Sequence, residues 1–215
     1  MKRGLAVVAV FLLTACNSHT DNATPTPSQP TVVPLPVAQA SKAALTVADL
    51  PKGWEGGVAP DPTPTLTNPV TYDPEDCWMV RDPMRDLGVP ATAIRGQYYL
   101  RVGDNSISVT EFIYSWPTPR PPVVQRIAAN VTRCATITGT VDGETYQISA
   151  RQLPVPGLKD GIVTRSGDAK SAGYAAYVAR GGTLLKLTAD SDTFPTDAAF
   201  VQFLKTAVAR LDAVS

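Results

Sequence analysis

Apolar positions along this 215-residue chain recur with different periods, and the periods predict an order of elements. Leu45 to Trp54 (LTVADLPKGW) opens the packed part: Thr46 stands three residues before Asp49, the spacing of a capping box, and Pro51 ends the helix after one turn. Residues 56–74 carry Pro60, Pro62, Pro64, Pro69 and Pro74 and read as a long loop. Asp73-Pro74-Glu75-Asp76 reads as a helix start, with Asp73 as N-cap, Pro74 at the first helical position and acids at the positive end of the dipole. A metal site or acid pair is the other reading of that cluster. The helix carries Cys77 in its first turn and reaches about Leu87, kinked or ended by Pro83.

From Gly96 to Val102 the period becomes two, with Tyr98, Leu100 and Val102 on one face and Gln97, Tyr99 and Arg101 on the other. After a turn at Gly103-Asp104-Asn105 a long strand runs to Trp116. Its apolar parity switches between Ile107, Val109 and Phe112, Tyr114, Trp116. That switch predicts either a bulge near Thr110 and Glu111 or burial on both faces. A helix follows from about Pro121, with Val124, Ile127, Ala128, Val131 and Cys134 at helical spacing. Four strand-like runs come next, at 143–151, 160–167, 172–179 and 183–190, the last two joined by a hairpin at Arg180-Gly181-Gly182. A helix from about Thr196 closes the chain, its stripe formed by Phe200, Phe203, Leu204, Ala207, Val208 and Leu211. The order predicts an α+β fold: an antiparallel β-sheet with helices packed mainly on one face and an open cleft on the other.

The N-terminal residues carry a different signal. Lys2 and Arg3 precede an apolar run of nine, Leu5 to Leu13, too short for a bilayer core that needs roughly 20 residues. Leu13-Thr14-Ala15-Cys16 resembles the lipobox of bacterial lipoproteins. The resemblance implies a signal peptide over 1–15 and a lipidated Cys16 that anchors the chain to the extracytoplasmic face of the cell membrane. An ordinary signal peptide with an incidental cysteine is the alternative. Residues 16–41 then form a Pro/Thr/Ser-rich tether that buries too little to order itself, and 42–215 form one domain.

Composition narrows the chemistry. The only histidine, His19, lies in the tether, which excludes a Ser–His–Asp arrangement from the domain and leaves metal binding without its commonest ligand. Residues 1–15 hold two of the 19 Lys and Arg and none of the 19 Asp and Glu, so the remainder carries a net charge of about −2 and argues against nucleic acid. Cys77 and Cys134 remain as a pair outside the cell, read as a disulfide, with a redox pair as the alternative. Glu111 and Glu144, the strand-region glutamates, show no reason to pair as a glycosidase would require. Neither a cofactor nor a metal is expected, and the chain reads as no enzyme.

Several segments together resemble the extracellular sensor-like domain of PknH-type mycobacterial Ser/Thr kinases, which also occurs on actinobacterial lipoproteins. They are ALTVADLPKGW (44–54), Asp76-Cys77, GQYYL (96–100), SVTEFIYSW (108–116), RCATIT (133–138) and VARGGTLLKL (178–187). The resemblance implies a cleft for an unidentified ligand and supplies no catalytic residues. It departs from the kinase type in offering one disulfide where two are expected, and in lacking a kinase domain and a spanning helix. The first functional expectation is a lipoprotein whose open sheet face binds a small or lipidic envelope ligand through Tyr99, Arg101, Tyr114 and Trp116, roofed by residues 56–74. The second is an interaction or scaffold protein that holds an envelope protein through an exposed patch or the tether.

Overall fold

The computed structural model describes residues 34–60, 70–85, 87, 91–102, 105–117, 120–168, 172–190, 193–194 and 196–215. Strands β3 (Thr92–Val102) and β4 (Asn105–Ser115) pair antiparallel without a slip, from Thr92 opposite Ser115 to Val102 opposite Asn105. No bulge interrupts them. The parity switch is burial on both faces: Val109, Ile113 and Trp116 are all buried, Trp116 on the side opposite the other two. The polar residue that broke the inner apolar row is Glu111, itself fully buried.

Among the described residues the sheet has nine strands. β1 (Glu55–Pro60) and β2 (Thr71–Asp73) are its two edges, and β5 (Thr136–Val141), β6 (Glu144–Leu153), β7 (Gly161–Gly167), β8 (Ala172–Arg180) and β9 (Thr183–Asp190) complete it in the order β1-β3-β4-β9-β8-β7-β6-β5-β2. Each neighbouring pair is antiparallel, as expected for the α+β class. The expected loop over 56–74 is corrected at both ends, since β1 pairs with β3 and β2 with β5. Edge strands tolerate proline because one row of their N–H groups needs no partner, so the prolines did not forbid pairing. Residues 61–69 lie outside the described residues.

β5 was also absent from the expected order. It reaches β6 through Asp142-Gly143, both at positive φ (51° and 83°), the twist that a two-residue hairpin requires. Asp73 ends β2 and gives no N-cap. A 3-10 turn, Glu75–Cys77, follows Pro74 and leads into α2 (Trp78–Arg81) without a side-chain cap. The 3-10 turn Val47–Asp49 does carry the capping box predicted at Thr46 and Asp49. The tether expected over 16–41 is ordered at its end, where α1 (Val37–Ala43) packs Ala40 and Ala43 against the sheet. Small side chains let this short helix approach closely.

Two cores form on opposite faces. On one, α1 and α4 (Asp197–Asp212) bury Trp54, Phe200, Phe203, Leu204 and Leu211 against Ile94, Val109, Val178, Leu185 and Leu187. On the other, α2 and α3 (Val123–Asn130) bury Val80, Val124 and Ile127 against Ile137, Ile148, Ile162 and Tyr177. The second pair covers the β8-to-β5 half and the adjoining ends of β9 and β4, where Leu184 and Trp116 join this core. α2 is four residues long, below what a helix needs to persist alone. The disulfide Cys77–Cys134 ties it to the end of α3, and an Asp76–Arg133 ion pair flanks the link.

Glu111 ties the N-terminal segment to the sheet. Its Oε2 accepts from the Leu45 N–H at 2.9 Å and lies 3.2 Å from the Tyr98 hydroxyl, whose single proton is shared between this oxygen and the Leu45 carbonyl. Four residues on, Ser115 Oγ accepts from the Leu35 N–H at 2.6 Å. Gly96, opposite Glu111, leaves room for the Tyr98 ring, whose hydroxyl would lie 2.6 Å from a Cβ there. Glu111 Oε1 has no hydrogen-bond partner among the described residues. Burial pushes the carboxyl up to about 7, against the lowering effect of the Leu45 N–H and Tyr98; Asp49 adds to the rise and Arg210 opposes it.

Two expectations follow from these ties. Replacing Cys77 and Cys134 by serine opens a loop of 57 residues and lowers the unfolding free energy by about 4 kcal/mol. Denaturant titration checks this, and an unchanged midpoint contradicts it. A Glu111 carboxyl that holds its proton more tightly folded than unfolded favours the fold fully below about pH 4.5, and that contribution is lost as pH rises through 7. Wild-type stability therefore falls by about 3 kcal/mol across this window relative to Glu111→Gln. Asp49, Asp76 and Asp197 are held below their ordinary 3.8, so their contributions are lost only at lower pH. Parallel pH profiles for the two proteins would refute the assignment to Glu111.

Candidate functional site

Among the described residues, no helix covers the face of β3, β4 and β9 opposite α1 and α4 beyond Leu184 and Tyr114, which meet the α2–α3 core. Cross-strand partners share a face, so the register builds rows of side chains there. One row is Arg95, Phe112, Lys186 and Tyr177; the next is Gln97, Thr110, Thr188 and Ala175. On the β8 side the covered half begins at α2, whose last residue, Arg81, donates to Ser166 Oγ on β7. Between this wall and the open rows lies a concavity of about 420 Å³. Its lining includes Arg81, Ser108, Thr110, Ser166, Lys186, Thr188 and Asp190, with Gly173, Ala175 and Tyr177. Small residues on β8 hollow the surface, and longer side chains on β9 and α2 raise its rim.

The rows are ordered by contacts among themselves. Phe112 sits between two cations, Arg95 Cζ at 5.7 Å and Lys186 Nζ at 5.5 Å from its ring centre, a cation–π arrangement on both sides. Phe112, Tyr114 and Trp116 stack in sequence, with ring centres 5.5 and 5.8 Å apart. Gln97 Oε1 accepts from Arg95 at 3.1 Å and from the Thr110 hydroxyl at 2.9 Å, and the Thr188 hydroxyl donates to the Thr110 carbonyl at 3.4 Å. Burial, reinforced by the nearby Asp82 and Tyr114, pushes the Tyr177 phenol up, so it stays protonated at the cavity floor.

The four expected ligand contacts divide. Tyr99 and Arg101 are exposed on the open face of β3, opposite Ser108 and Ser106 of β4 and outside the cavity lining. Tyr114 is half-buried in the aromatic ladder. Trp116 is 1% exposed, buried in the α2–α3 core, so it supports the ladder and offers a ligand no surface. The lining residues Arg81, Ser166, Lys186 and Thr188 were missed. Two had a legible signal: Lys186 and Thr188 alternate with Leu185 and Leu187, in phase with Ser108 and Thr110 across the pairing of β4 with β9. Glu111 and Glu144 lie on β4 and β6 with three strands between them, one buried and the other exposed at a hairpin, and form no pair. Cys16 and His19 lie outside the described residues.

A second concavity, about 400 Å³, lies between α4 and the β6–β7 connection. It is lined by Val155, Leu158, Leu204 and Val208, with Lys159, Lys205 and an Arg180–Asp212 ion pair among its polar groups. Among the described residues no group of His, Cys, Asp and Glu could hold a metal ion, and no helix is long and apolar enough to cross a membrane.

No protein-family model matches the chain, and no curated protein matches its sequence. Solved structures do share its fold. The extracellular domain of PknH from Mycobacterium tuberculosis superposes with a TM-score of 0.60 at 19% identity, over 84% of this chain and 97% of that one. An uncharacterised Mycobacterium smegmatis protein, the Rv0999 ortholog, superposes with a TM-score of 0.51 at 13% identity, over 80% and 96%. The chain thus has the fold of the PknH extracellular domain, spanning nearly the whole of it.

Proposed function

We propose that this chain is an extracytoplasmic lipoprotein, held to the membrane through Cys16, whose domain binds a small or lipidic envelope ligand without catalysing a reaction on it. The concavity beside Arg81 carries the reading: it lies where the covered half of the sheet meets the open one and combines convergent polar groups with adjacent aromatic rings. The fold shared with an extracellular domain supports the location. Tyr99, Arg101 and Tyr114 extend the same face beyond the cavity and would guide or hold the outer part of a ligand.

Two outcomes are expected. The chain purified under non-denaturing conditions shows extra mass by native mass spectrometry that denaturation removes, and Thr188→Trp, which fills the cavity, abolishes it. Equal masses under both conditions, or an adduct indifferent to Thr188→Trp, would count against this site. Cys16→Ala releases the protein from the membrane fraction; a variant that still pellets with membranes would refute the anchor.

A further inference from the structure

The lining of the concavity beside Arg81 also restricts what class of ligand it can take, an inference that rests on the ligand-binding reading above. Its side chains are poorly suited to an acyl chain. Burial of each methylene against apolar walls contributes about 0.8 kcal/mol, yet hydroxyls and charges line this cavity, and covering them without replacing their water hydrogen bonds costs more than it gains. The apolar concavity at α4 fits such a chain better.

The polar groups instead form a set of both hydrogen-bonding senses. The Thr110 and Thr188 hydroxyls already donate within the protein, so they present lone pairs outward. Asp190 adds a carboxylate acceptor. Ser166 Oγ accepts from Arg81 and keeps its own proton to donate. Acceptors and donors spaced along a surface match a ring of hydroxyl groups. Two cations, Arg81 from α2 and Lys186 from β9, line the same space, and a cation pair answers one group of concentrated negative charge.

We propose that the concavity binds an anionic carbohydrate or cyclic polyol, its phosphate held by Arg81 and Lys186 and its hydroxyls by Thr110, Thr188, Ser166 and Asp190. Such a group occurs free as a sugar phosphate and also as the headgroup of a phospholipid.

Calorimetric titration of the full chain in non-ionic detergent tests this, with myo-inositol 1-phosphate, myo-inositol and octanoate as probes. The phosphate is expected to bind at least about tenfold more tightly than myo-inositol, as one charge-assisted contact would give. Arg81→Met and Lys186→Met should each weaken it by about tenfold, and Thr188→Trp should abolish it. Arg81→Met also removes a bond to Ser166 and Lys186→Met a cation–π contact with Phe112, so an unchanged thermal midpoint of each variant separates lost binding from lost folding. Micelles doped with phosphatidylinositol separate the sources: binding at least as tight as that of the soluble phosphate assigns a lipid headgroup, weaker binding a free sugar phosphate. Octanoate bound in a Thr188→Trp-sensitive way, with no response to the phosphate, would overturn the anionic carbohydrate while keeping the ligand site. No probe sensitive to Thr188→Trp would overturn both.

Discussion

The four-residue helix α2 has too few internal hydrogen bonds to persist by itself, and the Cys77–Cys134 link holds it over the sheet. Much of the surface geometry depends on that constraint. α2 and α3 cover the β8-to-β5 half from one side, while α1 and α4 cover the β3-to-β8 half from the other. The uncovered face therefore begins where α2 stops, at Arg81, and the concavity forms at that step. Without the link, the wall of the cavity would rest on Val80, the Arg81–Ser166 hydrogen bond and the Asp76–Arg133 ion pair, the last exposed and of small net worth.

β4 carries the second organising feature. Its inner row, Val109, Glu111, Ile113 and Ser115, is buried, and its two polar members fasten the backbone of Leu45 and Leu35. Its outer row, Ser108, Thr110, Phe112 and Tyr114, belongs to the open face. A buried carboxylate on this strand spends stability on tying down the N-terminal segment, since its second oxygen finds no partner among the described residues.

Much of the fold was legible where periodicity was long and turns were marked. The stripe of α4, the hairpin at Gly181-Gly182 and the apolar face of β3 followed from spacing alone. Three strands were missed for physical reasons. β1 and β2 are edges, where proline is tolerated and burial is slight, so neither carries the apolar alternation of an inner strand. β5 is short and contains Gly139, whose missing side chain is replaced by the Tyr146 ring from β6, a compensation that only the pairing reveals. The candidate site was less legible. Its rows assemble from β4, β9, β8 and α2, and residues as distant as Arg81 and Ser166 meet only through the disulfide-held helix. Trp116 illustrates the converse: an aromatic in phase with the open face, yet buried beneath α3 because the strand ends under the second core.

The proposed ligand site is the concavity beside Arg81 rather than the apolar one at α4. Amide chemical shifts of the isotopically labelled chain, recorded before and after addition of a detergent extract of the envelope, test it directly. Shifts concentrated at Ser166, Gly173, Lys186 and Thr188 are the predicted result. Shifts confined to Leu158, Leu204 and Val208, or none at all, would contradict it.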